Sequence, residues 1–194
     1  AQGGIYASPS FNHYKTQSHF ERFYLTAERR ARDMGLLSAE FAMNNSGLGW
    51  GEPRSLGHGP LGCLAAWEAT GHPRYLRRMK HFEHGIAARA TADKPARIAK
   101  GRHWQGGIAL EGMREYYEHT GDEKVYEALK VLVADCKAKG DYAQSTLHAF
   151  AFLGAQLGDE NYTRKARDRI EKAGAGIATR GWGHAQSFGN RLRN

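Results

Sequence analysis

The sequence predicts an all-α protein, a single domain over residues 1–194 that is made of repeated antiparallel helical hairpins. Two observations predict this fold. Apolar residues recur at the spacing of one helix face, and short Thr-Gly or Leu-Gly turn sequences interrupt that pattern repeatedly. Alternation typical of a strand never extends beyond a few residues. A repeat of this kind indicates a helical array or a closed ring of hairpins.

The first half of the chain contains two of the expected hairpins. We expect helices at roughly 18–25 and 27–43, with Thr26 at the turn between them. A polar, glycine-rich loop follows. Pro60 is expected to close this loop at the first position of the next helix, where proline is favoured. The second hairpin then covers about 60–90.

The second half contains two further hairpins. The third is expected over 104–139, where Gly121 suits the left-handed position that ends a helix and Asp122 suits the N-cap of the next helix. The fourth is expected over about 142–173, and Gly174 is expected to end it. The corresponding turn glycines of the second and fourth hairpins are Gly71 and Gly158.

The charge of the chain indicates which classes of partner it favours. The net charge of +8 and the sequence pI of about 9.6 favour polyanions, which include acidic polysaccharide, nucleic acid and anionic lipid. No apolar run is long enough to cross a bilayer, so no membrane partner is expected. Nucleic acid ranks last because no recognition motif or basic helix is present. The densest basic run, over 164–169, is expected to form a solvated helix face.

Neither a cofactor nor a metal ion is expected. Cys63 and Cys136 fall among apolar residues of expected helices, which favours two buried free thiols over a disulfide. His81 and His84 are three residues apart on one helix but lack a third metal ligand. The Ala-Gln start is compatible with signal removal, and hence a secreted or periplasmic protein, or with a piece of a longer chain.

The residues that can carry chemistry gather just before the first helix of each hairpin, and once more in the tail. If the hairpins pack side by side in the same sense, these residues share one rim. Helix N-termini add N–H donors and partial positive charge there. Aromatic faces beside His, Arg, Gln and Asn suit a sugar-binding cleft. The five segments that supply these residues are 12–19, 50–58, 102–105, 141–145 and 182–187.

Structural alternatives exist for several of these residues. Trp104 and Trp182 can each be an ordinary core side chain. His72 and His119 adjoin hairpin turns on the opposite rim, where capping or solvent exposure explains them. His148 lies next to an apolar stripe and is expected to be a buried imidazole with its hydrogen bonds satisfied.

Three segments carry a family resemblance. They are NHYKTQSHFERFYLTAERRARDMG, PRSLGHGPLGCLAAWEATGHPRYLRRM and GGIALEGMREYYEHTGDEKVYEAL. They resemble the α/α-toroid domains of carbohydrate-active enzymes, and most of all those of exo-acting rhamnogalacturonan-lyase-like proteins. The resemblance covers roughly 12–165 and is best at 61–78. It implies a partial or complete α/α toroid, although this chain supplies about four hairpins and such toroids usually have more.

The resemblance implies a polysaccharide lyase, or part of one, that performs β-elimination on a uronate-containing polysaccharide. This reaction needs a group that neutralises the carboxylate, a base for the C5 proton and an acid for the leaving oxygen. Asn12, Arg54 or Arg102 can neutralise the carboxylate, His13 or His19 can be the base, and Tyr14 or Tyr142 can be the acid. The residues assigned to substrate binding are Arg54, His58, Arg102, His103, Trp104, Tyr142, Trp182 and His184. The run Asn12-His13-Tyr14 can equally be a helix lead-in.

Two other functions stay open. A glycoside hydrolase needs two opposed carboxylates, for which the rim offers Glu52 and Asp141. A non-catalytic protein would use the scaffold for self-assembly or passive carbohydrate binding. The first and last hairpins carry apolar stripes rather than polar caps, so we expect a partner, either further copies of the chain or the rest of a longer polypeptide.

Overall fold

The structure is a computed structural model, and it describes residues 16–44, 53–90, 103–139 and 146–177. Within these ranges the chain is helical and contains no strand, so the all-α prediction is confirmed. The eight helices of the described residues are α1 (Thr16–Thr26), α2 (Arg29–Asn44), α3 (Pro53–Thr70), α4 (Pro73–Ala87), α5 (His103–Thr120), α6 (Glu123–Ala138), α7 (Leu147–Leu157) and α8 (Glu160–Ile177).

Consecutive helices are joined in pairs by two-residue turns, and the first three turns share one construction, whereas the fourth follows Leu157 rather than a threonine. The threonine that ends the first helix of the pair donates its hydroxyl to the carbonyl four residues back, over 2.7 Å at Thr26, 2.6 Å at Thr70 and 2.7 Å at Thr120. The same hydroxyl oxygen accepts the backbone N–H two residues ahead. The next residue has a positive φ, which suits glycine at 71, 121 and 158, whereas Ala27 adopts it at 55°.

The helix pairs stack in chain order. The first helices contact one another in sequence, α1 with α3, α3 with α5 and α5 with α7, and α4 contacts α6 among the second helices. A continuous core runs between them, and its largest fully buried side chains include Phe20, Tyr75, Phe82 and Phe150. Burial of this apolar surface is the main stabilising contribution in such an arrangement.

One contact recurs between neighbouring pairs. Near its C-terminal end, the second helix of a pair sends a polar side chain to the turn region of the following pair. Glu40 of α2 binds Arg74 and accepts a hydrogen bond from the Tyr75 hydroxyl at 2.9 Å. His84 Nε2 lies 2.6 Å from Asp122 Oδ2. The Lys137 ammonium of α6 lies 3.9 Å from Asp159 Oδ2. Each of these contacts ties the second helix of one pair to the beginning of the second helix of the next pair.

The start of α3 differs from the sequence prediction. Pro60 was expected to begin this helix, but α3 begins at Pro53 and Pro60 lies inside it. Leu56 is 1% exposed, and Gly57 lies against the backbone of α5. Packing of this extra segment on α5 compensates for the one backbone hydrogen bond that Pro60 cannot donate. A proline does occupy the first position of α3, as expected, but this proline is Pro53 rather than Pro60.

The end of α8 also differs from the prediction. The helix continues through Gly174 to Ile177, because a single glycine lowers helix stability without ending the helix. The cysteine prediction is confirmed: Cys63 and Cys136 are buried thiols that no disulfide joins. Burial raises the pKa of the Cys63 thiol to about 12. Within the described ranges, no helix combines the length and apolarity that spanning a membrane requires.

Candidate functional site

The beginnings of α3 and α5 lie directly against each other. A Cβ atom placed on Gly57 would lie 2.2 Å from the carbonyl oxygen of Ile108, so the two backbones are in contact and only glycine fits there. Gly57 is in the second turn of α3, and Ile108 is in the second turn of α5. These two first helices therefore begin at the same end of the molecule.

The beginnings of α5 and α7 are joined by a hydrogen bond. His148 Nε2 lies 3.0 Å from the Gly107 carbonyl oxygen, which can only accept, so Nε2 carries the proton. His148 is the second residue of α7, and Gly107 is in the second turn of α5. The N-terminal ends of α3, α5 and α7 thus lie side by side. We call this end of the molecule the N-terminal rim.

Two of the predicted substrate-binding residues lie on the N-terminal rim with described side chains. Arg54 and His58 are four residues apart on the first turns of α3, so they share one helix face. Both side chains are half-buried and both take part in interactions within the protein. His103 and Trp104 begin α5 at the same rim, but their side chains lie outside the described residues.

His19, one of the two candidate bases, lies elsewhere along the array. It is in the first turn of α1, a helix that begins at Thr16. A Cβ atom on Gly62 would lie 2.9 Å from Thr16 Oγ1, so the first residue of α1 lies beside the middle of α3. Gly62 is eight residues beyond Arg54, or about 12 Å along the helix axis. The structure therefore does not bring His19 to the position of Arg54 along the axis of α3.

The remaining predicted site residues lie outside the described residues. They are Asn12, His13, Tyr14, Arg102, Tyr142, Trp182 and His184, and the carboxylates Glu52 and Asp141 of the alternative hydrolase site lie outside as well. The described part of the predicted site therefore consists of one guanidinium and one imidazole on α3, beside the start of α5.

His148 was expected to be a satisfied buried imidazole, and half of that expectation holds. Nε2 has its partner in Gly107, but Nδ1 is buried without a hydrogen-bond partner. Burial lowers the pKa of His148, and the nearby Glu111 carboxylate and Arg114 guanidinium act in opposite directions on that pKa. The neutral ring leaves a lone pair on Nδ1 next to the rim.

Glu83 is a buried acid that sequence reasoning missed. It is 0% exposed, and neither carboxylate oxygen has a hydrogen-bond partner. Burial raises the pKa of Glu83 well above its usual range, so the side chain is held as the neutral acid. The sequence contained a signal, because Glu83 lies four residues after Met79 and three before Ile86, within the apolar stripe of α4.

The opposite end of the molecule carries the hairpin turns and their histidines. His72 is the N-cap of α4, and its Nδ1 accepts the Arg74 backbone N–H at 3.3 Å, as expected. His119 packs edge-on against the Trp67 ring. Burial acts to raise the pKa of Asp122, but the hydrogen bond from His84 and the N-cap bonds outweigh it and lower that pKa. These contacts fix helix ends.

A resident metal ion has no site in the part of the chain that the structure describes, where no three His, Cys, Asp or Glu side chains come together. His81 is exposed and lies beside Phe82, whereas His84 is paired with Asp122. The two histidines therefore do not act as a pair. The exposed Arg164, Lys165 and Arg167 agree with the expected solvated face of α8.

Comparison with known proteins adds no relative. Neither a family model, nor a curated protein, nor a solved structure matches this chain.

Proposed function

We propose that this chain is a carbohydrate-active domain whose helix pairs form part of an α/α toroid. In this proposal the N-terminal rim binds an acidic polysaccharide or oligosaccharide. The reaction is β-elimination on a uronate-containing chain, so that the domain is a polysaccharide lyase or part of one. The resemblance of residues 12–165 to toroid domains of rhamnogalacturonan-lyase-like proteins motivates the reaction type.

The observation that supports the proposal best is the alignment of three helix beginnings. The His148–Gly107 hydrogen bond and the contact of Gly57 with Ile108 bring the N-termini of α3, α5 and α7 together. Helix N-termini present backbone N–H groups and partial positive charge, which favour an anionic ligand. Arg54 adds a permanent cation at the same rim, and the net charge of +8 attracts a polyanion from a distance.

The chemistry assigns a role to each predicted group. Arg54 would neutralise the uronate carboxylate, which makes the C5 proton more acidic, and His58 would bind a neighbouring hydroxyl or carboxylate. His13 would remove that proton, because the structure does not bring His19, the other candidate base, to the position of Arg54 along α3. Tyr14 would protonate the leaving oxygen as the C4–O bond breaks and the C4–C5 double bond forms. The base and the acid in this scheme are assigned from the sequence.

The test compares binding and product formation on an acidic and a neutral polymer. Polygalacturonate and a rhamnogalacturonan backbone are the acidic probes, and amylose is the neutral one. We expect binding of the acidic probes, loss of most of that affinity in Arg54→Ala with His58→Ala, and release of product with the ultraviolet absorbance of an unsaturated uronate. The matched control is Arg164→Ala with Lys165→Ala, which removes two exposed positive charges from α8.

The outcomes separate the alternatives. Equal loss of affinity in both double variants would mean that net charge alone holds the polymer, and the proposed site would be wrong. Binding without an unsaturated product would favour the non-catalytic function. A new reducing end without unsaturation would favour a glycoside hydrolase.

The non-catalytic alternative has one observation of its own. Large apolar side chains of the first and last described helix pairs are exposed, as a self-assembling protein requires. Assembly and saccharide binding are compatible, because none of these exposed side chains belongs to the helix beginnings that form the N-terminal rim.

A further inference from the structure

α4 is the most basic of the described helices, which the sequence analysis did not identify. Its residues include four permanent cations, Arg74, Arg77, Arg78 and Lys80, and its only acid is Glu83. Because Glu83 is buried and held as the neutral acid, α4 carries no negative charge that would offset these four. α8 has more cations, but it also carries three acidic residues that reduce its net charge.

Two of the four cations are occupied by contacts within the protein. Arg74 binds Glu40 of α2. Arg78 donates to the Ala42 carbonyl over 3.4 Å, and its guanidinium lies 4.7 Å from the centre of the Phe82 ring. These contacts hold both guanidinium groups against the protein, so they are not available to a ligand in the way that the other two cations are.

Arg77 and Lys80 are exposed and three residues apart, so they lie on one face of α4. Within the described part of the chain, neither side chain has a hydrogen bond or an ion pair. On α6, by contrast, the Lys130 ammonium lies 2.5 Å from a Glu127 carboxylate oxygen. His81 is four residues after Arg77 and is exposed as well. We call Arg77, Lys80 and His81 the α4 strip.

The α4 strip presents charge without apolar or aromatic groups. Among the described residues, the exposed large apolar side chains belong to α1, α2 and α7, and none to α4. The two aromatic rings of α4, Tyr75 and Phe82, are buried. A helix that enters a lipid surface needs exposed apolar side chains, and a surface for single-stranded nucleic acid uses aromatic rings on which bases stack. The strip suits a polyanion that needs only positive charge and hydrogen-bond donors, as an acidic polysaccharide does.

The α4 strip is separate from the N-terminal rim. Arg77 is in the second turn of α4, a helix that follows the hairpin turn at Gly71. The rim, in contrast, is formed where the first helices α3, α5 and α7 begin. A short ligand bound at the rim therefore has no need of the strip, whereas a long polymer can contact both surfaces.

We propose that the α4 strip is a second binding surface for the acidic polysaccharide, distinct from the rim and without a catalytic role. Uronate carboxylates of the polymer pair with Arg77 and Lys80 while another part of the same polymer occupies the rim. Two linked contacts raise the effective concentration of polymer at the rim, so long chains bind more tightly than short ones. The class of polymer in this inference rests on the proposed function.

The test compares Arg77→Ala with Lys80→Ala against a matched control, Arg164→Ala with Arg167→Ala. The control removes two exposed cations at the same spacing from α8. Calorimetric titration with long polygalacturonate measures the affinity of each full chain. We expect the α4 double variant to bind about tenfold more weakly than the wild type and with a weaker salt dependence, because two exposed charge contacts are lost. The control should stay within about twofold of the wild type.

A short oligogalacturonate separates the strip from the rim. The α4 double variant should bind it as tightly as the wild type does, whereas Arg54→Ala with His58→Ala should weaken the binding of both ligands. Loss of long-polymer affinity in the α4 variant, without any loss in the Arg54 and His58 variant, would support the strip and contradict the proposed rim site.

Three results would overturn the strip. They are a wild type that does not bind long polygalacturonate, an α4 variant that loses no more affinity than the α8 control, and a larger loss for another polyanion. Duplex DNA and anionic phospholipid vesicles are the probes for the third result. A greater dependence of either one on Arg77 and Lys80 would mean that the surface has a different partner.

Discussion

The Glu83 carboxyl group lies against the backbone of α5 at Gly112. A Cβ atom on Gly112 would lie 2.9 Å from Glu83 Oε1. The next nearest groups to this added Cβ are the Pro60 ring and Gly57. Glycine at 112 thus leaves the space that the acid occupies. Because both carboxylate oxygens lack hydrogen bonds, ionisation of Glu83 in the folded protein carries a large desolvation penalty.

Replacement of Glu83 is expected to remove a pH dependence of stability. The folded pKa is raised above the unfolded value of about 4.3, so the stabilising effect is complete below that pH and is lost as pH rises toward the folded pKa. In that window the wild-type free energy of unfolding falls by up to about 1.4 kcal/mol per pH unit from this group. In Glu83→Gln this component disappears. Urea unfolding from pH 4.5 to 8 measures the difference between the two proteins.

The matched control is Glu127→Gln, which changes an exposed carboxyl group on α6. Its pH profile should run parallel to that of the wild type. A Glu83→Gln profile that also ran parallel would show that Glu83 is ionised in the folded protein and finds a partner there.

Ala27→Gly is expected to stabilise the protein. Ala27 has a φ of 55°, a left-handed conformation that costs an L-residue with a Cβ roughly 1–2 kcal/mol. The greater freedom of glycine in the unfolded chain offsets part of this gain. We expect a net increase of about 0.5–1 kcal/mol in the free energy of unfolding, as measured by urea denaturation.

The reverse change at an equivalent turn is the control. Gly121 has a φ of 65°, and a Cβ atom there would meet no other atom within 4 Å. Gly121→Ala should therefore destabilise by about 1 kcal/mol through backbone strain alone. A neutral Ala27→Gly beside a costly Gly121→Ala would mean that the first turn relaxes in solution.

The helix pairs could be predicted because their turns are local. A glycine at 71, 121 or 158, flanked by apolar stripes, identifies a helix end without knowledge of the rest of the fold. The beginning of α3 could not be predicted in this way. Its first two turns depend on the packing of Gly57 against Ile108, a residue 51 positions later.

The candidate site was predictable in part for the same reason. Arg54 and His58 were recognised from their position ahead of an apolar stripe, and both lie at the N-terminal rim. The burial of Glu83 requires glycine at 112 on α5, and the position of His19 along α3 follows from the contact of Thr16 with Gly62. These are tertiary relationships, and helix periodicity carries no information about them.

His148→Gln is expected to change stability in acid, with the opposite sign to Glu83→Gln. Burial lowers the folded pKa of His148 below the unfolded value of about 6.5. Below pH 6.5 the unfolded chain therefore binds a proton at His148 that the folded protein does not bind. The free energy of unfolding of the wild type has the full contribution of this group above pH 6.5 and falls as the pH drops below that value. Glutamine can still donate to the Gly107 carbonyl but does not titrate, so the variant should lose less stability between pH 6.5 and 5.

His81→Gln, at an exposed imidazole of α4, is the control and should follow the wild type. Equal acid sensitivity of His148→Gln and the wild type, by urea unfolding at each pH, would show that the His148 ring accepts a proton in the folded protein, for which Nδ1 would need a partner.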